Sequence, residues 1–171
     1  ASDAGWISVA LEASARAALA WESMGRPTHA ARAHLASAST WLMLGSQSEA
    51  QEAFLAARTL AHRGGDALTE SYAELGLAEL GLAAQHLERA AELAARSAMR
   101  EEASLRVLAT RLALLPTTLA ADEIDRGDDA CARSNESLRW EWWGARARAI
   151  LREPRTSESP SIVLRELSKL A

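Results

Sequence analysis

Apolar positions recur with helical spacing along almost the whole chain. Residues 6 to 24 place Trp6, Ala10, Ala13, Ala17, Trp21 and Met24 three to four apart, a single apolar stripe of the kind an amphipathic helix presents. A second helix is predicted over about 28 to 44, with Ala31, Leu35, Ala38 and Trp41 or Leu42 on one face and Pro27 just inside its start. Ala50, Phe54, Ala57 and Leu60 or Ala61 mark a third. Ahead of it, Ser46-Gln47-Ser48-Glu49 reads as a capping box, the serine accepting from an orphan amide and the glutamate reaching back. Asp66 can cap a fourth helix with a short stripe of Leu68, Tyr72, Leu75 and Glu79. A fifth, about 83 to 99, carries Ala83, Leu87, Ala90 and Ala94, and a sixth carries Leu105, Leu108, Leu112 and Leu115 before Pro116 stops or kinks it.

Glycines at Gly25, Gly45, Gly64-Gly65 and Gly81 fall where these segments end, and serve as C-terminal caps because glycine takes the left-handed conformation without a Cβ clash. Connections this short predict antiparallel neighbours. Thr117 to Arg126 reads as a short helix or a continuation past Pro116, Gly127-Asp128-Asp129 as the next turn, and 130 to 152 as one long helix holding Leu138, Trp142, Ala145 and Ala149. Residues 152 to 160 have linker composition, and Ser159 and Pro160 start a final helix with Val163, Leu167 and Leu170. The expectation is therefore seven to eight helices, with a helical domain over 1–152 and a linker plus capping helix over 153–171.

Composition sharpens the class. Of 171 residues, 49% are hydrophobic, yet there is one Phe and one Tyr, and Ala and Leu dominate the apolar total. Those two are the strongest helix formers, whereas a sheet protein needs more Val, Ile and aromatics, so the chain is all-α. A net charge of −4 does not favour nucleic acid or an anionic membrane surface. No run approaches the roughly 18 apolar residues that span a bilayer. Cys131, the single cysteine, cannot form an internal disulfide and suits a reducing compartment, so a cytoplasmic location is expected.

Laying the chain on itself so that Ala50 meets Ala83 also brings Phe54, Ala57, Leu60 and Ala61 onto Leu87, Ala90, Leu93 and Ala94. That offset is near the period of helix-turn-helix solenoids, whose hairpins bury their apolar faces only by stacking. Residues 45 to 61 resemble the turn and second helix of a tetratricopeptide (TPR) repeat: Gly45 matches the turn glycine, Glu49-Ala50 the acidic-alanine pair, Phe54 the aromatic and Ala57 the second small residue. Trp41 fits the aromatic near the end of the first helix, and Gly25 through Ala30 repeats the turn pattern with Trp21 in the aromatic place. Trp140-Glu-Trp-Trp-Gly-Ala-Arg-Ala-Arg-Ala-Ile-Leu, with the proline-containing linker and Leu164-Arg-Glu-Leu, is similar to the junction of TPR arrays with caspase-like CHAT peptidase domains. LuxR-type ATPase regulators are an equal alternative parent. The resemblance implies antiparallel hairpins stacked as a right-handed solenoid within a bacterial regulatory protein; it carries over no catalytic residue.

The chemistry-bearing residues support no reaction. His29, His34, His62 and His86 form no metal motif with Cys131 or a carboxylate, Asp122, Asp125, Asp128 and Asp129 do not match an EF-hand loop, and Gly64-Gly65-Asp66 lacks the further glycine and the lysine of a P-loop. No enzyme activity, metal or cofactor is expected. The most unusual constellation is Trp140, Trp142 and Trp143 among Arg139, Arg146 and their neighbours, since aromatics interleaved with arginine can clamp acidic peptides. A packing reading makes Trp142 core and Trp140 or Trp143 a lid over a neighbouring helix; the binding reading makes Trp140, Trp143, Arg139 and Arg146 the candidate partner-binding residues. Together these features point to a scaffold for a peptide or helix of a partner protein, with homo-association through terminal repeats as a further expectation. The alternative is a helical sensor in which Trp21, Trp41 and leucines line a pocket for a small effector.

Overall fold

The computed structural model describes residues 3–81, 83–114, 121–152, 165 and 168. Among them the chain is all-helical: α1 (Asp3–Ser23), α2 (Pro27–Met43), α3 (Gln47–Gly64), α4 (Ala67–Glu79), α5 (Ala83–Arg96), α6 (Arg100–Leu114), α7 (Ala121–Ala132) and α8 (Glu136–Arg152). They fall into two compact units, residues 1–98 and 99–171. The sixth-helix end at Leu115 and Pro116, the linker and the final-helix stripe lie outside the described residues.

In the first unit, the turns that follow α1, α2 and α3 are built alike and evenly spaced. Gly25, Gly45 and Gly65 each take positive φ, and the amide that follows each donates back to the carbonyl of Trp21, Trp41 and Ala61 respectively, at 2.9, 3.0 and 3.0 Å. This six-to-one bond satisfies a carbonyl that the helix end leaves open, and only glycine takes the required conformation cheaply. Pro27 sits at the first helical position as expected. Asp66 caps α4, its side chain accepting from the Thr69 amide at 3.2 Å. Ser46 does occupy the N-cap of α3, but its side chain makes no capping hydrogen bond, so the capping box is not formed.

Every fully described position in the superposition of α3 on α5 is buried: Ala50, Phe54, Ala57, Leu60 and Ala61 on α3, and Leu87, Ala90, Leu93 and Ala94 on α5. Alanine recurs where helices pack against one another, with Ala30, Ala31, Ala38, Ala50, Ala57, Ala61 and Ala73 all fully covered. Between α3 and α4 the approach is tighter still. A Cβ on Gly76 would lie 2.2 Å from the Phe54 ring, so that ring fills the notch the missing side chain leaves.

Two expected stripes are placed differently. The covered positions of α1 are Ile7, Leu11, Ser14, Ala17, Ala18 and Trp21, whereas Trp6, Ala10, Ala13 and Met24 are exposed. This helix carries apolar residues on two adjoining faces, and α2 covers the one that shares only Ala17 and Trp21 with the expected stripe. Helix α4 shows no single stripe, because it is covered nearly all round by α2, α3 and α5, with Thr69, Glu70, Ser71, Glu74 and Leu75 all buried. Its position between neighbours overrides the one-sided pattern.

The second unit packs α6, α7 and α8 around Leu105, Leu112, Ile124, Cys131, Leu138, Trp142 and Ala145. Gly127 is not a turn here. It lies inside α7 and is buried, and its Cβ would fall 2.1 Å from the Trp142 ring. The turn comes later, at Arg133–Asn135, where the Asn135 side chain accepts from the Leu138 amide at 3.1 Å and starts α8. The glycine is therefore a packing notch, the second unit's counterpart of Gly76, and the expected long helix over 130–152 is divided.

Candidate functional site

One tryptophan and one arginine of α8, Trp142 and Arg146, converge on one carboxylate. Trp142 is fully buried and donates its indole N–H at 2.7 Å to Oδ1 of Asp128, the residue that follows the Gly127 notch on α7. Arg146, one turn along α8, reaches both oxygens of Asp128 at 3.2 Å and stands 5.6 Å from the centre of the Trp143 ring. A cation at that range over an indole is attracted by the ring quadrupole. Arg146 is 7% exposed, so its charge serves the fold as well as the surface. Arg139 turns back onto the end of α7, donating to the carbonyls of Ser134 and Ala132 at 3.1 and 3.2 Å. Trp140 remains 40% exposed, and Trp143 is half-buried. Of the four candidate residues, Trp143 and Arg146 are thus brought together, Arg139 caps a helix, and Trp140 offers the largest open apolar area. Trp142 is core, as the sequence indicated.

A second polar arrangement escaped the sequence reading. Glu70 and Glu74 lie one turn apart on α4, 7% and 4% exposed, with histidine and arginine side chains supplied from both sides. Glu74 takes His86 of α5 at hydrogen-bond distance and Arg58 of α3 at 3.9 Å. Glu70 takes His62 of α3 at 3.3 Å and Arg89 of α5 at 3.5 Å. Each buried carboxylate therefore meets one histidine and one arginine, in opposite order across the helix. Burying a carboxylate without partners is costly, and this crossed set of four supplies them. The signal was present as Arg58/His62, Glu70/Glu74 and His86/Arg89, three pairs at helical spacing on consecutive helices, but opposite charges on separate helices become informative only once their register is known.

Asp66 joins α4 to α2 as well. Arg32 donates to its Oδ2 at 2.9 Å, and the Thr69 hydroxyl does so at 2.8 Å. Burial alone would push the Asp66 carboxyl up, but the Thr69 hydroxyl and amide and the Arg32 guanidinium outweigh it and hold the group below its ordinary value.

Trp21 and Trp41, the suggested lining of an effector pocket, belong to different clusters. Trp21 stacks 4.7 Å from His29 and packs against Ala30, Ala31, Leu60 and Ala61; Trp41 packs against the cluster of Ala38, Phe54 and Leu77 at the other end of α2. Among the described residues no group of three or more His, Cys, Asp or Glu side chains could hold a metal ion, and no helix is long and apolar enough to cross a membrane. Comparisons with protein-family models, with curated proteins and with solved structures found no match.

Proposed function

We propose that this chain is a protein-interaction scaffold, a TPR-like module of helical hairpins that holds a peptide or helix of a partner protein within a larger regulatory protein. The observation that carries the reading is the repetition in the first unit: like turns after α1, α2 and α3, and matched apolar positions buried on α3 and α5. Contact between α2 and α4, second neighbours in sequence, fits hairpins stacked side by side as in a right-handed solenoid. Such an array devotes its buried residues to its own seams and leaves aromatic and basic side chains for a ligand. Trp140 is the exposed anchor, and further along α8 Arg146, held by Asp128, stands by the Trp143 ring.

The reading is tested by affinity capture with the intact chain and with Trp140→Ser, both first shown to have the same melting temperature. The scaffold reading expects a partner enriched by the intact chain and depleted by the variant. Equal recovery of every captured protein by both would count against it.

A further inference from the structure

We propose that residues 159–170 dock as an antiparallel helix on the outward side of α8 and occupy the face beside Trp140 until a partner displaces them. The docking itself does not depend on the scaffold reading; its regulatory meaning rests on that reading.

The receiving surface is built from described residues. Leu138, Trp142, Ala145 and Ala149 turn one side of α8 into the core of the second unit. Trp140, Gly144 and Ala147, at spacings of four and three, run along the opposite side, since successive helical residues advance by about 100°. Trp140 is 40% exposed, and a Cβ on Gly144 would meet only an Arg148 nitrogen, at 3.6 Å. One large side chain followed by two small ones lets a second helix approach closely and rest its end against the indole. A helix with an apolar stripe opposite its core face is suited to a neighbour on each side.

Pattern, exposure and reach identify the occupant. Val163, Leu167 and Leu170 recur at four and three, the same spacing as on α8. Within this segment Arg165 and Ser168 are helical and exposed, the Ser168 hydroxyl donating to the Arg165 carbonyl at 2.8 Å. On a helix these two positions stand on the side away from Val163, Leu167 and Leu170, which leaves the apolar stripe for a neighbour. The connection of seven residues, 153–159, can span about 23 Å, more than the roughly 8–10 Å between packed helix axes. A return helix that begins at Pro160 level with Leu151 sets Leu167 level with Gly144 and brings Leu170 within one residue of the level of Trp140.

So short a tether holds the segment at an effective concentration on the order of millimolar, and a contact that is weak between separate molecules is then mostly made within one. A partner helix anchored on Trp140 must displace the segment, so its affinity for the intact chain is reduced by the fraction of molecules in which the face is open.

Two measurements on the full chain test the proposal. In the first, Gly144→Cys is combined with Leu167→Cys or, as a control, with Arg165→Cys, and each protein is oxidised in dilute solution; the native Cys131 is buried. The expected result is an intramolecular disulfide that forms at least about tenfold faster with Leu167→Cys than with Arg165→Cys, because only the first pair is brought within bonding range. In the second, a synthetic peptide of residues 159–171 is titrated into the parent and into Leu167→Asp while tryptophan fluorescence is followed. The variant, its own segment released, should bind the peptide at least about tenfold more tightly than the parent, and adding Trp140→Ser should weaken that binding. Equal cross-linking by the two pairs, or a peptide that binds parent and variant alike or binds neither, would overturn the proposal. Neither measurement uses a partner protein, so the docking can fail with capture through Trp140 intact, and capture can fail with the docking intact.

Discussion

Replacing Gly127 by alanine sets two known effects against each other and makes the packing of the second unit measurable. In an exposed helix interior the change stabilises by about 1 kcal/mol, because alanine is the better helix former. At Gly127 the new Cβ would stand 2.1, 2.2 and 2.8 Å from three carbons of the Trp142 ring. Under 3.0 Å something must move, and the indole is poorly able to, being fully buried and tied through its N–H to Asp128. Overpacking of this kind costs about 1–3 kcal/mol, and contact with three ring atoms places the cost toward the upper end. The net expectation is a loss of about 1–2 kcal/mol, or a fall in melting temperature of about 2–4 °C per kcal/mol for a chain of this size. Gly144 on α8 is the internal control: its Cβ would meet only an Arg148 nitrogen at 3.6 Å, an ordinary contact, so Gly144→Ala should stabilise. Thermal unfolding of the two variants beside the parent decides the matter. Equal stabilisation by both would refute the notch and return Gly127 to a loop.

Three further outcomes follow from the first unit. Ala57→Leu and Ala90→Leu, at fully buried positions, should each cost about 1–3 kcal/mol in chemical denaturation, while Ala91→Leu at an exposed position of α5 should be nearly neutral. Glu74→Ala removes the shared partner of His86 and Arg58 and should lower stability by about 1–3 kcal/mol, below the figure for a wholly buried pair because Arg58 still reaches solvent. Asp66 is held below its ordinary value, so the folded state binds its proton less readily than the unfolded state does. Its contribution is present in full above the ordinary carboxylate range and is lost as pH falls through the lower folded value. The stability gap between the parent and Asp66→Asn should accordingly be wide near neutral pH and close below about pH 4, and a gap that widens with acid would contradict the assignment.

What the sequence disclosed and what it withheld have separate physical origins. Helix content and the turns at Gly25, Gly45 and Gly65 were legible because alanine-rich periodicity and a required positive φ are local properties. The cap at Asp66 was legible for the same reason. The direction of α1 was not, since an apolar pattern on two faces does not say which face receives a neighbour. Helix α4 misled through its modest stripe, because burial by three neighbours tolerates Glu70 and Glu74 once partners arrive from flanking helices. Gly127 misled in the other direction. A glycine followed by two aspartates has the composition of a turn, and only the arrival of Trp142 from a later helix shows why it stays helical. In the α8 constellation the residues were identified from their types, but the division of labour was not, because Asp128, the group that binds Trp142 and Arg146, lies in another helix.

The scaffold account is tested most directly by titrating the purified chain with a purified captured partner in a calorimeter at several temperatures. Burial of apolar surface around Trp140 predicts stoichiometric binding with a negative heat-capacity change, weakened at least about tenfold by Trp140→Ser while the melting temperature of the free chain is unchanged. Binding that is indifferent to Trp140→Ser, or no direct binding of any captured protein, would contradict it.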